Sequence, residues 1–518
     1  MTRYHPAAFY AGFSLMVVEL TSSRIVAPII GASIFTWTAI IGVTLLGLSI
    51  GGVSGGYIAD AYYKRFGDAL LGAALFISAI FVALIVPLSH SSGFIIENIS
   101  SISTISTLLS VFLFLLPSIA LGTVQPIILR LYTHSFEKVG REYGILSSLW
   151  SLGGIIGVFA TGFYFIAHLG SATTLYAVAA ILLILSAYVS RSWKGTLGLL
   201  VFGFLCISPL YAHSSDLSKN PDVIYDAETG YYRARVVDHD FSSASGDTRW
   251  LFLDFDSDSI QTEHPIGMYT DMAPVLKVFS DLAGHPLQSV HFIGAGAYIL
   301  PKSFRSLLPD ADISVSEVDP ALIDIGNTYF DLARYHVDTD VGDARVFFAT
   351  HPEKYDLIFG DAFNSFISPP WHLMTREFIA AVSSHLSEGG FYAMNIISPI
   401  EGEDAGMFYS EYETLHESFP TLYVFAFGGV PNKTQNIVIV GTKGSPLPYE
   451  DIQKALKDSG NDDFAEKLLP PERVSEIERA AASYRPLTDD FAPVENLMLP
   501  VMSDSFEPYL KIYEKMMD

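Results

Sequence analysis

Seven apolar stretches of membrane-spanning length fill the first 212 residues, and they constrain the fold more than any other feature. They run at about 7–32, 34–59, 68–89, 105–129, 143–168, 171–190 and 196–212. A helix needs roughly 20 predominantly apolar residues to cross a bilayer, and seven such runs in succession exceed any soluble core. The first does not read as a secretory signal, because no small-residue cleavage site follows a short apolar core. Charge divides at the same place. Residues 1–212 carry nine Lys/Arg and six Asp/Glu, so 21 basic and 49 acidic residues fall after them. The front is apolar and almost neutral; the back is acidic and soluble. The polar run from His213 to Pro221 marks the expected boundary. The net charge of −25 repels phosphate and argues against nucleic acid as a partner. A chain that is half hydrophobic is not disordered. The single cysteine, Cys206, excludes a disulfide framework and a Cys-rich metal site.

Glycines recur inside the apolar stretches, at Gly47, Gly51, Gly52, Gly55 and Gly56 and at Gly153, Gly154 and Gly157. Small residues let membrane helices approach closely, so these positions predict helix–helix contacts. Glu19 and Arg24 lie inside the first stretch. Intramembrane charges are costly and often functional; placement near a helix end, or pairing with neighbouring helices, is the plain alternative. Basic residues cluster at 60–67, 130–141 and 191–194, which places those loops and the N-terminus in the cytoplasm. The segment Gly56–Gly67 resembles the cytoplasmic loop between helices two and three of major-facilitator transporters. Seven crossings put residue 213 outside, whereas a domain using a cytosolic nucleotide belongs inside. The expected location is therefore the cell (inner) membrane, multi-pass, with the side of the soluble half open.

The back half reads as an α/β domain. Tyr231–Val237 and Arg249–Asp254 are alternating runs that predict an antiparallel β region within 213–287. From 288 strands alternate with helices: Ser289–Ile293, Ile313–Ser316, Tyr355–Gly360, with helices near 320–334 and 375–387. This alternation predicts a parallel, doubly wound sheet over 288–518, whose ligands sit beyond the carboxyl ends of the strands. Asn436–Gly441 reads as a late strand, and 449–484 as charged amphipathic helices.

Five positions fall at that edge. Gly294 and Gly296 permit a tight turn and close approach of backbone to ligand, although a lone Gly-x-Gly is equally a bare turn. Glu317 ends the second strand, 21 residues past Gly296, where an acid accepts ribose hydroxyl protons or is merely solvated. Asp343, in Gly-Asp-Ala-Arg, accepts from an adenine amino group or caps a helix. Asp361 closes the strand at 355–360, where a carboxylate orients or deprotonates an amine or serves as a turn residue. Asp489, Asp490 and Glu495 read as helix caps or, less simply, cation ligands. There is no phosphate-binding Gly-Lys-Ser/Thr loop, metal-spaced His/Glu motif or Gly-x-Ser-x-Gly elbow, and no metal site is expected.

Residues 222–400 resemble the aminopropyltransferase family, spermidine synthase and its relatives, and in particular a branch in which membrane spans precede the catalytic domain. The resembling segments are Leu253-Asp-Phe, Ser259-Ile-Gln261, Tyr269, Phe292–Gly296, Ser316–Asp319, Gly342–Arg345, Tyr355–Phe363, Thr375–Phe378 and Leu487–Glu495. The resemblance implies the class I S-adenosylmethionine-dependent methyltransferase fold. It implies an adenosyl substrate, S-adenosylmethionine or its decarboxylated form, with no prosthetic group. Gln261 and Glu317 would hold the ribose, Asp343 the adenine, and Tyr269 and Asp361 would face the acceptor amine. Expected partners are a sulfonium nucleoside, an amine acceptor and the lipid bilayer; a homo-oligomer is compatible. Three positions depart from the family pattern. Ala297 stands where the glycine loop carries an Asp, Thr270 where a His follows the Tyr, and Asn364 where the acceptor motif has its second acid. An amine site without two carboxylates binds polyamine cations less tightly. Three readings stay open: aminopropyl transfer to an amine; a lyase cleaving S-adenosylmethionine to methylthioadenosine and homoserine lactone; and a non-catalytic adenosyl sensor or scaffold on a transporter-like membrane part.

Overall fold

The structure, a computed structural model, describes residues 3–92, 95, 102–133, 136–191, 220–238, 248–254, 256–262, 268–362 and 369–502. The chain forms two compact units, one reaching Lys219 and the other starting at Asn220. The apolar stretch expected at 196–212 lies outside the described residues.

The first unit holds six helices, among the described residues, that are long and apolar enough to cross a membrane. They are α1 (Tyr4–Ile30), α2 (Ile34–Phe66), α3 (Asp68–His90), α4 (Ile102–Tyr132), α5 (Val139–Ala160) and α6 (Ser171–Ser190). A π-helical turn, Thr161–Phe165, continues α5 toward Leu169. Breaks between helices are short. Ser33 caps α2 by accepting from the Thr36 amide at 3.3 Å, and Gly67, at φ 52°, alone separates α2 from α3.

Glycine sets how these helices meet. On α2, Gly47, Gly51 and Gly55 recur every four residues and face α4. A Cβ on Gly51 would stand 2.2 Å from the Ile119 carbonyl oxygen, and one on Gly55 2.6 Å from Thr123 Cα. Helices α1 and α5 pack the same way: a Cβ on Gly12 would lie 2.1 Å from Trp150 O, and one on Gly153 1.9 Å from Phe9 O. Backbones therefore touch directly, which only glycine permits. The opposite faces of α2 and α5 expose Leu45, Val53, Tyr57, Ile155 and Phe159, and the π-helical turn exposes Phe163. Glu19 and Arg24 are half-buried along α1.

The second unit opens with a four-stranded antiparallel sheet: β1 (Val223–Glu228), β2 (Arg233–Asp238), β3 (Thr248–Leu253) and β4 (Asp256–Thr262). A seven-stranded sheet follows, built from β5 (Ser289–Ile293), β6 (Asp312–Glu317), β7 (Asp338–Val341), β8 (Tyr355–Gly360), β9 (Leu386–Ser398), β10 (Leu422–Ala426) and β11 (Gln435–Thr442). Its order is β10-β11-β9-β8-β5-β6-β7. The five strands from β9 to β7 pair in parallel, whereas β11 runs antiparallel to β9 and β10. The sheet is thus mixed rather than wholly parallel. The physical reason is the short link between β10 and β11, which allows a hairpin but no crossover helix.

Buried strands read as continuous apolar runs because both faces are covered. Along β5, Val290 and Phe292 face one side, where they join Phe279 of α7 (Met272–Ala283) and Phe304 of α8 (Ile299–Leu307) in the main core. His291 faces the other side, towards Phe347 of α10 (Ala344–Thr350); between them in sequence lies α9 (Ala321–Tyr329). His291 is fully buried, yet both ring nitrogens are satisfied, Nδ1 by Ser314 at 2.8 Å and Nε2 by Ser316 at 2.9 Å. Burial pushes it down to about 3, so it is a neutral core residue stacked 4.4 Å from Phe347.

The glycine contacts generate a paired test. Gly51→Leu should lower the thermal midpoint in detergent by about 2–10 °C, since overpacking costs roughly 1–3 kcal/mol. Gly52→Leu, where an added Cβ meets nothing within 4 Å, should leave it almost unchanged. Equal effects of the two would contradict the glycine-mediated contact.

Candidate functional site

The strand order reverses between β5 and β8, and ligands of open α/β sheets bind where it does. The two strand ends are locked together there. The Asp361 amide donates to Ile293 O at 2.9 Å, and the Gly294 amide to Ser316 O at 2.9 Å. Gly294 adopts φ 85°, and a Cβ on it would lie 2.8 Å from Asp361 O. Gly296 adopts φ 50°, and a Cβ there would lie 2.2 Å from Asp258 Oδ1. Both glycines are therefore required by the turn itself and by what presses on it.

A cavity of about 250 Å³ opens beside this turn. Gly294, Gly296, Glu317, Asp343 and Asp361 all line it, so five of the seven residues expected at the site converge. Asp258, Tyr231, Tyr232 and His372 join them. Four lining residues are carboxylates, and no Lys or Arg is among the described lining residues.

Each acid is held differently. Glu317 is 4% exposed; Oε2 accepts from the Ala295 amide at 3.0 Å and Oε1 from the Asp319 amide at 2.9 Å. Burial still pushes its carboxyl up to about 7. Asp361 accepts from Asn395 Nδ2 at 2.9 Å and from the Tyr269 hydroxyl, yet desolvation raises it to about 7. Asn395, on β9, is itself oriented by Asn436 of β11, whose Nδ2 donates to Asn395 Oδ1 at 3.2 Å. Asp258 is raised to about 6 by burial, against the pull of the Ser259 hydroxyl. Asp343 is the N-cap of α10: Oδ1 accepts from the Arg345 amide at 2.9 Å, and Oδ2 meets His372 Nε2 at 2.7 Å. It is thus both a cap and a cavity acid.

Two expected residues stand apart from the lining. Gln261, on β4, directs Oε1 to Lys302 Nζ at 2.8 Å. Tyr269 sits in a single 3₁₀ turn before α7, packs edge-on to Phe427 and reaches the site only through Asp361. Asn364 lies outside the described residues. Asp489 proves to be a clamp. It accepts from both guanidinium nitrogens of Arg345 and from Thr375 Oγ1 at 2.7 Å, while Arg345 also donates to His372 O at 3.0 Å. The residues that sequence reasoning missed are Asp258, His372, Asn395 and Asn436. None falls at a predicted strand end next to a glycine turn. Asp258 alone had a signal, its place in an acidic run directly before Ser259-Ile-Gln261. Among the described residues, no group of three His, Cys, Asp or Glu side chains is arranged to hold a metal.

Three carboxyls held above their usual range make stability depend on pH. The folded protein keeps protons that the unfolded chain has released, so stability falls as pH rises from about 4 to about 7. Asp361→Asn removes one contributor. The stability lost over that range, measured by denaturant unfolding at fixed pH, should be smaller in the variant; an unchanged loss would refute the raised Asp361.

No family model matches the chain. A probable polyamine aminopropyl transferase of Bifidobacterium longum (strain NCC 2705) is 26% identical over 268 residues, 48% of this chain and 57% of that protein. A polyamine aminopropyltransferase of Vibrio vulnificus (strain CMCP6) is 30% identical over 222 residues, 40% of this chain and 70% of that protein. A crystal structure of a probable spermidine synthase from Corynebacterium glutamicum ATCC 13032 overlays with a TM-score of 0.43 at 19% identity. The overlay covers 52% of this chain and 95% of that one.

Proposed function

The chain belongs to the polyamine aminopropyltransferase family, and from that premise we propose that its C-terminal unit transfers a three-carbon aminopropyl arm to an amine. The donor in this reading is decarboxylated S-adenosylmethionine and the released product is methylthioadenosine. The observation that carries it is the cavity at the β5/β8 reversal, lined by Asp258, Glu317, Asp343 and Asp361 with no Lys or Arg among the described lining residues. Buried carboxylates without protein cations favour a cationic ligand, and a sulfonium nucleoside with an ammonium-ended arm supplies two positive charges.

Roles follow from the partners already present. Glu317 spends one lone pair of each oxygen on a backbone amide, which leaves acceptor capacity for the ribose hydroxyls. Asp343 and His372 form the adenine end. Gln261 joins the ribose only by exchanging Lys302 for the ligand. At the other end, Asn395 and Tyr269 donate to Asp361 and hold it towards the acceptor. The acceptor nitrogen attacks the methylene carbon bonded to sulfur. A carbon–nitrogen bond forms, the carbon–sulfur bond breaks, and its electron pair neutralises the sulfonium. The proton lost by the new secondary ammonium passes to Asp361, whose raised value suits that exchange near neutrality. Alignment of amine, carbon and sulfur supplies the rest of the rate.

In the same reading the six apolar helices cross the cell membrane, which accounts for the large apolar side chains exposed on α2 and α5. Lys64, Arg65, Arg130, Lys138, Arg141 and Arg191 then fall at the helix ends and connections on the side of the N-terminus, in keeping with a cytoplasmic face. The chain should stay with membranes through an alkaline carbonate wash; release into the supernatant would exclude insertion.

The activity test incubates full-length protein with decarboxylated S-adenosylmethionine, with and without putrescine. Methylthioadenosine should appear only with amine present. Its release without amine, or from intact S-adenosylmethionine alone, would overturn transfer. Asp361→Asn should reduce turnover by about a hundredfold or more, as loss of a general base does, while methylthioadenosine still binds.

A further inference from the structure

Of the four cavity acids, Asp258 is the one that the large sheet does not deliver. It comes from β4, in the small antiparallel sheet. The register there pairs Leu251 with Ser259 and Phe252 with Ser257, so Asp258 is the extra residue of a β-bulge. Bulges re-aim side chains and recur beside functional sites. This one brings Asp258 and Ser259 together onto the glycine turn. Ser259 Oγ accepts from the Ala297 amide at 3.0 Å and donates to Asp258 Oδ1 at 2.7 Å. That oxygen occupies the space a Cβ on Gly296 would need.

Ala297 cannot place an acid in the cavity. It is fully buried in an apolar cluster with Tyr232, Leu251 and Leu253. A carboxylate from the bulge therefore stands against the turn that lacks one of its own. Asp258 lines the same cavity as Glu317 and Asp361. Among the described lining residues, no Lys or Arg offsets the three.

We propose that Asp258 receives the terminal ammonium of the donor's arm and makes the site select the carboxylate-free donor over intact S-adenosylmethionine, an assignment that rests on the aminopropyl reading above. The intact donor carries a carboxylate next to the same ammonium. Brought against Asp258, Glu317 and Asp361, that carboxylate meets like charge and finds no Lys or Arg among the described lining residues. Discrimination thus comes from repulsion as well as from pairing.

Calorimetry on the full-length protein in detergent tests this with three probes: methylthioadenosine, which has no arm, decarboxylated S-adenosylmethionine and the intact compound. Wild-type protein should bind the decarboxylated donor at least about tenfold more tightly than the intact one. Asp258→Asn should weaken the decarboxylated donor roughly ten- to hundredfold, the loss expected for a charge-assisted hydrogen bond. Methylthioadenosine should stay within about twofold, and the gap between the two donors should narrow. Asp258→Glu, which keeps the charge, should retain the preference. Equal weakening of all three probes by Asp258→Asn, or no weakening of the donor, would overturn the assignment and leave Asp258 a residue that only shapes the turn. Wild-type protein that takes up none of the three overturns the nucleoside reading itself, a different result from a wild type that binds and a variant that does not discriminate.

Discussion

Carboxylates crowded into one cavity with no Lys or Arg among its described lining residues are expensive, and much of the C-terminal unit is arranged around that expense. Desolvation disfavours the ionised form of each, and their mutual repulsion adds to it. The chain offsets this with neutral donors rather than with Lys or Arg. Backbone amides at Ala295 and Asp319 serve Glu317, a side-chain amide serves Asp361, and a hydroxyl serves Asp258. Dipoles of this kind stabilise a negative charge without cancelling it. The cavity keeps its field for a ligand, and Asp258, Glu317 and Asp361 sit at about 6 to about 7, where a change of protonation is cheap.

The same logic gives purpose to parts of the chain far from the glycine turn. Strand β11 returns antiparallel through the sheet and carries Asn436, which orients Asn395, which in turn presents its amide to Asp361. The segment at 487–491 returns from beyond the last long helix to place Asp489 on Arg345 and Thr375. Arg345 then holds the His372 carbonyl, and the His372 ring meets Asp343. Each route runs from a C-terminal element to one cavity carboxylate. The small antiparallel sheet adds a third: Thr229 bonds Asp319, the residue whose amide steadies Glu317.

In the helical unit the constraint is contact distance rather than charge. Glycines at a four-residue spacing let α2 and α4, and likewise α1 and α5, meet backbone to backbone. In the proposed membrane setting, apolar side chains gain little by leaving lipid for one another, so close backbone approach is the contact that distinguishes one helix partner from another.

Periodicity and charge, readable along the chain, determined much here. Apolar runs of about 20 residues marked six helices, and Gly47, Gly51, Gly55, Gly153 and Gly157 marked contact faces, whereas Gly52 and Gly56, expected to do the same, face open space. Alternation of strands with helices placed Gly294, Gly296, Glu317, Asp343 and Asp361 at one edge, since strand ends share an edge whatever the details of packing. Tertiary structure alone decided the rest. Asp258 enters through a bulge, which depends on the register between two strands and leaves no period in the sequence. Asn395 sits within the apolar run of β9 and Asn436 at the start of β11, and neither shows its role until its cross-strand neighbour is known. The role of Asp489 depends on Arg345, 144 residues away. Local patterns report which face a residue occupies; which side chain meets it there is a property of the folded whole.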